Sequence, residues 1–334
     1  MSVAILVNPH ARHGSESFGE QIRAILPEAR IAVTRTLAEV RTWVRDDLSR
    51  NVPDVLLSAG GDGTAVTLLN ELREHNLTVP AFGLLPLGTG NGWARATGNV
   101  GRNAALRGLS ALSESDYRPL RRFALVETEG RVTPFAGTGW DAEILADYHR
   151  MREDTPAALR SVGSARGGYF RSLVTRTIPR HLGRWSPPNV RVINLGEPAL
   201  TVDDHGHAIP VQGGEYGAVL YDGPISVGGA STTEELGFGF RAFPFAHLVP
   251  GRMAVRVYAA STLNAIMRLP WIWRGVHPVP DDHHLFVTRC RFEFDRPVPF
   301  EIGGDLVGER TQVEMSLVDD AVPLLDWRKL VEGR

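Results

Sequence analysis

Asp54-Val55-Leu56-Leu57-Ser58-Ala59-Gly60-Gly61-Asp62-Gly63-Thr64 is the stretch on which the fold turns. An apolar run of strand length ends in two glycines, and helical spacing resumes over residues 64–74. A run that is apolar at consecutive positions is buried on both faces, as in a parallel sheet covered by helices. Glycines at the strand end let the backbone turn tightly and approach an anion with no Cβ in the way. The first N–H groups of the next helix then face that anion, assisted by the helix dipole. Asp62 is the informative residue, because a carboxylate in such a loop repels phosphate unless it holds a metal or takes a proton. The other account is a plain glycine turn with Asp62 capping its own helix.

The same alternation extends upstream and downstream. Residues 3–7 form an apolar strand, 15–25 a helix with Phe18, Ile22 and Ile25 on one side, and 29–34 a short strand. Residues 37–48 have Val40, Val44 and Leu48 at period four, and 81–85 are a further apolar strand. Strands alternating with helices predict a parallel sheet covered on both faces. A second glycine loop, Leu87-Gly88-Thr89-Gly90-Asn91-Gly92, follows residues 81–85. Two such loops at the C-terminal ends of neighbouring parallel strands form a phosphate cradle.

The texture changes near Arg121. Short β-like runs at 123–128, 190–195, 216–221, 253–259 and 285–294 are separated by Gly, Pro and Asp turns. The expected architecture is therefore two-domain. An α/β parallel-sheet nucleotide domain over residues 1–121 is followed by a mostly antiparallel β-sandwich over 122–318. A helical insert at about 157–181 interrupts the sandwich, and 319–334 packs back.

These motifs resemble those of the diacylglycerol kinase catalytic-domain family, which includes bacterial lipid kinases and sphingosine kinases and is related to NAD kinases. Asn8-Pro9 after the first strand, Gly60-Gly61-Asp62-Gly63-Thr64, and the element at 85–95 all match its pattern in order. Later, Gly137-Thr138-Gly139-Trp140-Asp141-Ala142, Phe243-Pro244-Phe245-Ala246 and the strand-turn at 300–308 are similar to its C-terminal motifs. The resemblance implies ATP in a cleft between domains, with phosphates on the two glycine loops and Mg²⁺ bridging them. It implies nucleotide contacts from Asn8, Gly60, Gly61, Gly63, Thr64, Gly88, Thr89, Gly90 and Asn91, and Asp62 as the group that activates the acceptor hydroxyl. Three acidic positions of the family are replaced, by Gly92, by Pro250-Gly251 and by Gly303-Gly304-Asp305. Asp305 is then either a solvated turn residue or the carboxylate that stands in for the family's Glu in catalysis and in holding the metal.

Composition narrows the alternatives. Lys329 is the only lysine among 334 residues, so neither the lysine of P-loop NTPases nor the strand lysine of protein kinases is available at these loops. The formal charge of −2 gives no general pull toward nucleic acid or an anionic membrane, so any such binding must come from a local patch. Cys290 is the only cysteine and reads as a buried strand residue. With no basic, extended apolar start and no bilayer-length apolar run, the expectation is a cytoplasmic protein, peripheral to the membrane at most.

Nine arginines between Arg150 and Arg191, including Arg160, Arg166, Arg171, Arg176, Arg180 and Arg184, form either a solvated face or an anion-binding patch. Residues 266–274 mix aromatics with arginine and suit a membrane surface, an acyl pocket or packing. His205-x-His207 and His283-His284 read as surface histidines rather than metal ligands.

The expected activity is transfer of the ATP γ-phosphoryl group to a hydroxyl of a diacylglycerol-like or sphingoid lipid. An NAD kinase-like enzyme, or a nucleotide- or lipid-binding protein without turnover, are the alternatives.

Overall fold

The computed structural model describes residues 1–11, 16–88, 91–99, 101–114, 116–140, 142–144, 146–147, 150, 186–237 and 239–333. The expected insert at 157–181 and most of its arginines lie outside the described residues. The chain divides into two compact units: residues 1–125, 235–240 and 318–334 in the first, and 126–234 and 241–317 in the second.

In the first unit, β1 (Val3–Val7), β2 (Arg30–Val33), β3 (Val55–Gly60) and β4 (Phe82–Pro86) lie in the order β2-β1-β3-β4, all parallel. Every residue of β1, β3 and β4 is buried, as continuous apolar runs require. The helices are α1 (Glu16–Ile25), α2 (Leu37–Trp43), α3 (Asp62–Glu74), α4 (Gly92–Ala96) and α5 (Arg102–Glu114). Phe18 and Ile22 of α1 and Leu109 and Leu112 of α5 pack with Ile5, Leu57 and Leu85 in one core. The expected helix over 37–48 is α-helical only to Trp43. Val44–Leu48 continue as a wider turn, with Ser49 N–H bonded to Val44 carbonyl, and Val44 and Leu48 remain buried.

The second unit is antiparallel. Its strands begin within β5 (Leu120–Thr128) and continue as β6 (Arg131–Thr133), β7 (Phe135–Gly139), β8 (Asn189–Asn194), β9 (Leu200–Val202) and β10 (Ala208–Pro210). They continue with β11 (Val219–Pro224), β12 (Val227–Ser231), β13 (Met253–Tyr258), β14 (Asp282–Val287), β15 (Arg289–Ile302) and β16 (Asp305–Leu325). The long β15 is shared by two arms. Its first half pairs with β8 and β16, its last residues pair with β7, and the register shifts between Glu293 and Val298. From β7 the ladder runs through β12, β13 and β14 to β9. Val192, Val255, Val287, Phe292 and Phe300 draw both arms into one core. The expected single strand over 285–294 is two strands, because the chain passes at Thr288 from the arm that pairs with β13 to the one that pairs with β8.

A helix, α6 (Thr262–Arg274), connects β13 and β14. The end of β16 and α7 (Trp327–Glu332) belong to the first unit, where Leu324 pairs in parallel with Phe82 and Trp327 is buried in the core. No helix of the described residues is long and apolar enough to cross a membrane.

One reading is corrected. His283 and His284 lie on β14, not in a turn, and His284 is buried. Its ring lies 3.3 Å from Asp282, which forms a two-bonded ion pair with buried Arg256 at 2.7 and 2.6 Å. Burial pushes His284 down, so it sits neutral in this strand-to-strand clamp. His205 and His207 are exposed as expected. Cys290 is buried, and burial pushes its thiol up, out of reach of nucleophilic chemistry.

Candidate active site

The parallel sheet sets the site's position. β2 lies on one side of β1 and β3 on the other, so the chain reverses its direction of travel across the sheet between β1 and β3, where open α/β sheets take ligands. Asn8 follows β1, Gly60 through Thr64 end β3 and begin α3, and Leu87 onward follows β4.

Hydrogen bonds join these three segments. The Gly60 carbonyl accepts from Leu87 N–H at 2.8 Å and Gly88 N–H at 2.9 Å, so the second loop is tied to the first. Asn8 Nδ2 donates to Thr64 Oγ1 at 3.1 Å, and Asn8 Oδ1 accepts from His10 N–H at 3.0 Å. Asn91 adopts a left-handed conformation at φ 51°, and its Nδ2 closes the loop onto Gly88 carbonyl at 2.8 Å. Its Oδ1 is buried with no partner among the described residues. Thr89 and Gly90 lie outside the described residues.

The glycines have separable roles. A Cβ on Gly88 would lie 2.4 Å from Gly61 Cα, and a Cβ on Gly60 would lie 2.5 Å from Thr64 Oγ1. Both glycines permit close approach of one part of the protein to another. A Cβ on Gly63 would meet nothing within 4 Å. Gly63 sits in the first turn of α3, where N–H groups lack acceptors within the helix. Open space beside such a turn fits a phosphate group.

Asp62 does not cap its own helix, which starts from Gly61 in extended conformation. It caps α4 instead, its Oδ2 accepting from Trp93 N–H at 3.3 Å. Removal from water pushes the Asp62 carboxyl up to about 6, against the N–H groups of Trp93, Gly92 and Ala94, which favour the ionised form. The residue as a whole retains intermediate exposure. A carboxyl poised near neutrality can be ionised at working pH and still take a proton.

Gly92, where the related pattern has Asp, is also explained by close approach. A Cβ there would lie 2.6 Å from Glu235 carbonyl oxygen and 3.0 Å from Gly237 N. Residues 235–240 return to the first unit at this point, with Glu235 4.0 Å from Arg95. Neither this segment nor the capping of α4 is legible in the sequence. Neither is marked by local spacing, since each joins residues far apart in the chain.

Asp305 opens β16 in the second unit, after Gly303 and Gly304 with φ of 62° and 88°, and is exposed. No group of three or more His, Cys, Asp or Glu side chains suited to a metal gathers among the described residues. The donor set on the glycine loops is the single carboxylate of Asp62. That set fits Mg²⁺ as an ion carried largely by phosphate and water, and does not fit an all-protein cage.

These features define an α/β unit whose glycine loops and helix start suit an anionic phosphate beside one raised carboxyl. The family model of the diacylglycerol kinase catalytic domain matches residues 2–121. Diacylglycerol kinase 1 of Arabidopsis thaliana is 31% identical over 153 residues, covering 39% of this chain and 21% of that protein. The protein named "Probable lipid kinase YegS-like" of Pseudomonas fluorescens is 35% identical over 135 residues, covering 38% of this chain and 42% of that protein. The matches thus span less than half the length of these relatives. A crystal structure of a diacylglycerol kinase from Bacillus anthracis superposes with a TM-score of 0.63 at 14% identity, covering 97% of this chain and 96% of that one. The resemblance to the diacylglycerol kinase catalytic-domain family therefore holds over residues 2–121. Beyond them, the likeness is one of fold: a mixed architecture of a parallel α/β part and later antiparallel strands.

Proposed function

We propose that the protein is an ATP-dependent lipid kinase that transfers the γ-phosphoryl group to a hydroxyl of a diacylglycerol-like or sphingoid lipid. The observation that carries this reading is Asp62, a carboxyl raised to about 6 at the meeting of the two glycine loops. Bound nucleotide and Mg²⁺ would supply the transferable group and neutralise its charge. The chain's own work is positioning and proton removal. Gly63 and the first turn of α3 leave space and N–H groups for phosphate oxygens, without a lysine. Asn8 and Thr64 hold the start of α3 against β1, and the Gly60 carbonyl holds the second loop. Asp62, fixed by the N–H groups of α4, orients the acceptor hydroxyl and takes its proton.

Incubating the purified protein with ATP, Mg²⁺ and mixed micelles of diacylglycerol or sphingosine tests this reading. Labelled lipid supports it; nucleotide binding with no labelled lipid would leave a binding protein.

Asp305 is proposed as the second carboxylate of the reaction. Asp305→Ala is expected to lower turnover by about tenfold or more and to flatten its dependence on Mg²⁺. Stability should stay within about 0.5 kcal/mol, since the residue is exposed at a turn. Unchanged turnover and Mg²⁺ dependence would remove Asp305 from the site.

A further inference from the structure

The helix α6 has its apolar residues on the wrong side for a helix of a water-soluble surface. Among the described side chains of the helix only Ala265 and Ile272 are buried, a narrow inward stripe seven residues apart. Leu263, Met267 and Trp271 are 59%, 57% and 53% exposed, and Ile266 and Leu269 are exposed beside them. At 100° per residue Leu263, Ile266, Met267 and Trp271 fall within an arc of about 140° that is centred opposite Ala265 and Ile272, and Leu269 lies beside the buried stripe. The helix is well terminated: the Ser261 side chain accepts from Asn264 N–H, and Gly275 ends it at φ 66°. Its exposed apolar face is therefore presented by a formed helix.

The charges point to the occupant. Thr262 through Arg274 contain no acid and two arginines. Arg268 is tied to Asp281 at 3.2 Å and to Pro280 carbonyl at 3.0 Å, which neutralises the nearest carboxylate. Arg274 is exposed at the C-terminal end of the same face. An apolar face carrying tryptophan, free of acids and with Arg274 at its C-terminal end, matches the interface of an anionic bilayer. Its area argues against a second protein. The exposed apolar side chains of a single 13-residue helix fall short of the about 800 Å² of accessible surface that each partner buries in a stable complex.

We propose that the outer face of α6 docks this protein onto an anionic lipid bilayer. The choice of a lipid over other apolar partners rests on the reading that the acceptor substrate is a lipid. Docking supplies what a kinase of a membrane-dissolved substrate needs, a surface that lies on the bilayer while the chain remains outside its core.

The test is flotation with vesicles of phosphatidylcholine, with and without phosphatidylserine, using wild type and the triple variant Leu263→Ser, Met267→Ser, Trp271→Ser. These positions are exposed, so the variant keeps its fold, checked by circular dichroism. Wild type is expected to float with phosphatidylserine vesicles, and the variant to bind roughly a hundredfold more weakly. Both should run as the same species in sedimentation, and both should phosphorylate a short-chain diacylglycerol in detergent equally. Equal flotation of the two proteins, or no flotation of wild type, overturns the proposal. So does a wild-type dimer that the variant splits, which would make the face a contact between copies. Loss of short-chain activity in the variant also overturns it, in favour of an acyl pocket. If neither protein phosphorylates the short-chain lipid, the kinase reading fails, while flotation still decides the docking.

Discussion

Asp62→Asn is expected to abolish phosphoryl transfer and, at pH 8, to make the protein more stable than wild type. Both effects come from one carboxyl. Asn keeps the size of Asp and an oxygen to accept from Trp93 N–H, but it cannot take a proton. Removing a positioned general base lowers rates by about 10²–10⁴. The stability effect follows from the raised pKa, about 6 against an ordinary value of 3.8. An acid that holds its proton more tightly when folded destabilises the fold once it must ionise. Below about pH 4 Asp62 is protonated in both states and exacts nothing. From about pH 4 to 6 the unfolded chain loses its proton first and stability falls, and above about pH 6 the loss is constant. A shift of about two units corresponds to roughly 3 kcal/mol as an upper figure. Thermal melts of the two proteins should therefore diverge between about pH 4 and 6 and stay apart above. Wild-type kcat/KM should rise through the same window. A variant that melts with wild type at pH 8 contradicts the burial of the carboxyl. A variant that retains turnover contradicts its role.

Gly88→Val and Gly63→Ala should separate the two kinds of glycine at this site. Gly88 lies against the backbone of Gly61, and a Cβ at 2.4 Å from its Cα cannot be absorbed by a side-chain rotation. The loops must part, breaking the bonds from Leu87 and Gly88 N–H to Gly60 carbonyl. The cost is about 1–3 kcal/mol in stability, and a displacement of about 1 Å lowers nucleotide binding on the order of a hundredfold. Gly63→Ala places its Cβ in open space within a helix, where Ala is favoured over Gly by up to about 1 kcal/mol. It should leave the fold as stable as before or more so, yet still weaken nucleotide binding, because that space is where a phosphate would lie. Titration with ATP and a thermal melt of each variant distinguish the cases. Undiminished ATP binding by Gly63→Ala would move the phosphate elsewhere.

Much of the parallel unit was legible in sequence because its signals are local. A continuous apolar strand, a glycine pair and a helical period follow one another within 20 residues at Val55 to Glu74, and the structure has them in that order. The antiparallel unit was legible as texture but not in its boundaries. Nothing local at Thr288 separates β14 from β15, since the break arises from which distant strands each pairs with. His284 was misplaced for the same reason: its polar neighbours Asp282 and His283 suggest a turn until Arg256, 26 residues before Asp282, pairs with it. At the site, the spacing identified Asp62 but not its partners, the N–H groups of α4 and the returning segment 235–237. These depend on the tertiary path of the chain, and they account for Gly92 better than any missing metal ligand does.

The measurement that bears most directly on this account is transfer of labelled γ-phosphate from ATP to lipid by the purified protein, with Asp62→Asn run beside it. Wild type should yield a phosphorylated diacylglycerol or sphingoid product that the variant does not, at comparable ATP binding. Bound ATP with no labelled lipid from wild type, or equal product from both proteins, would contradict it.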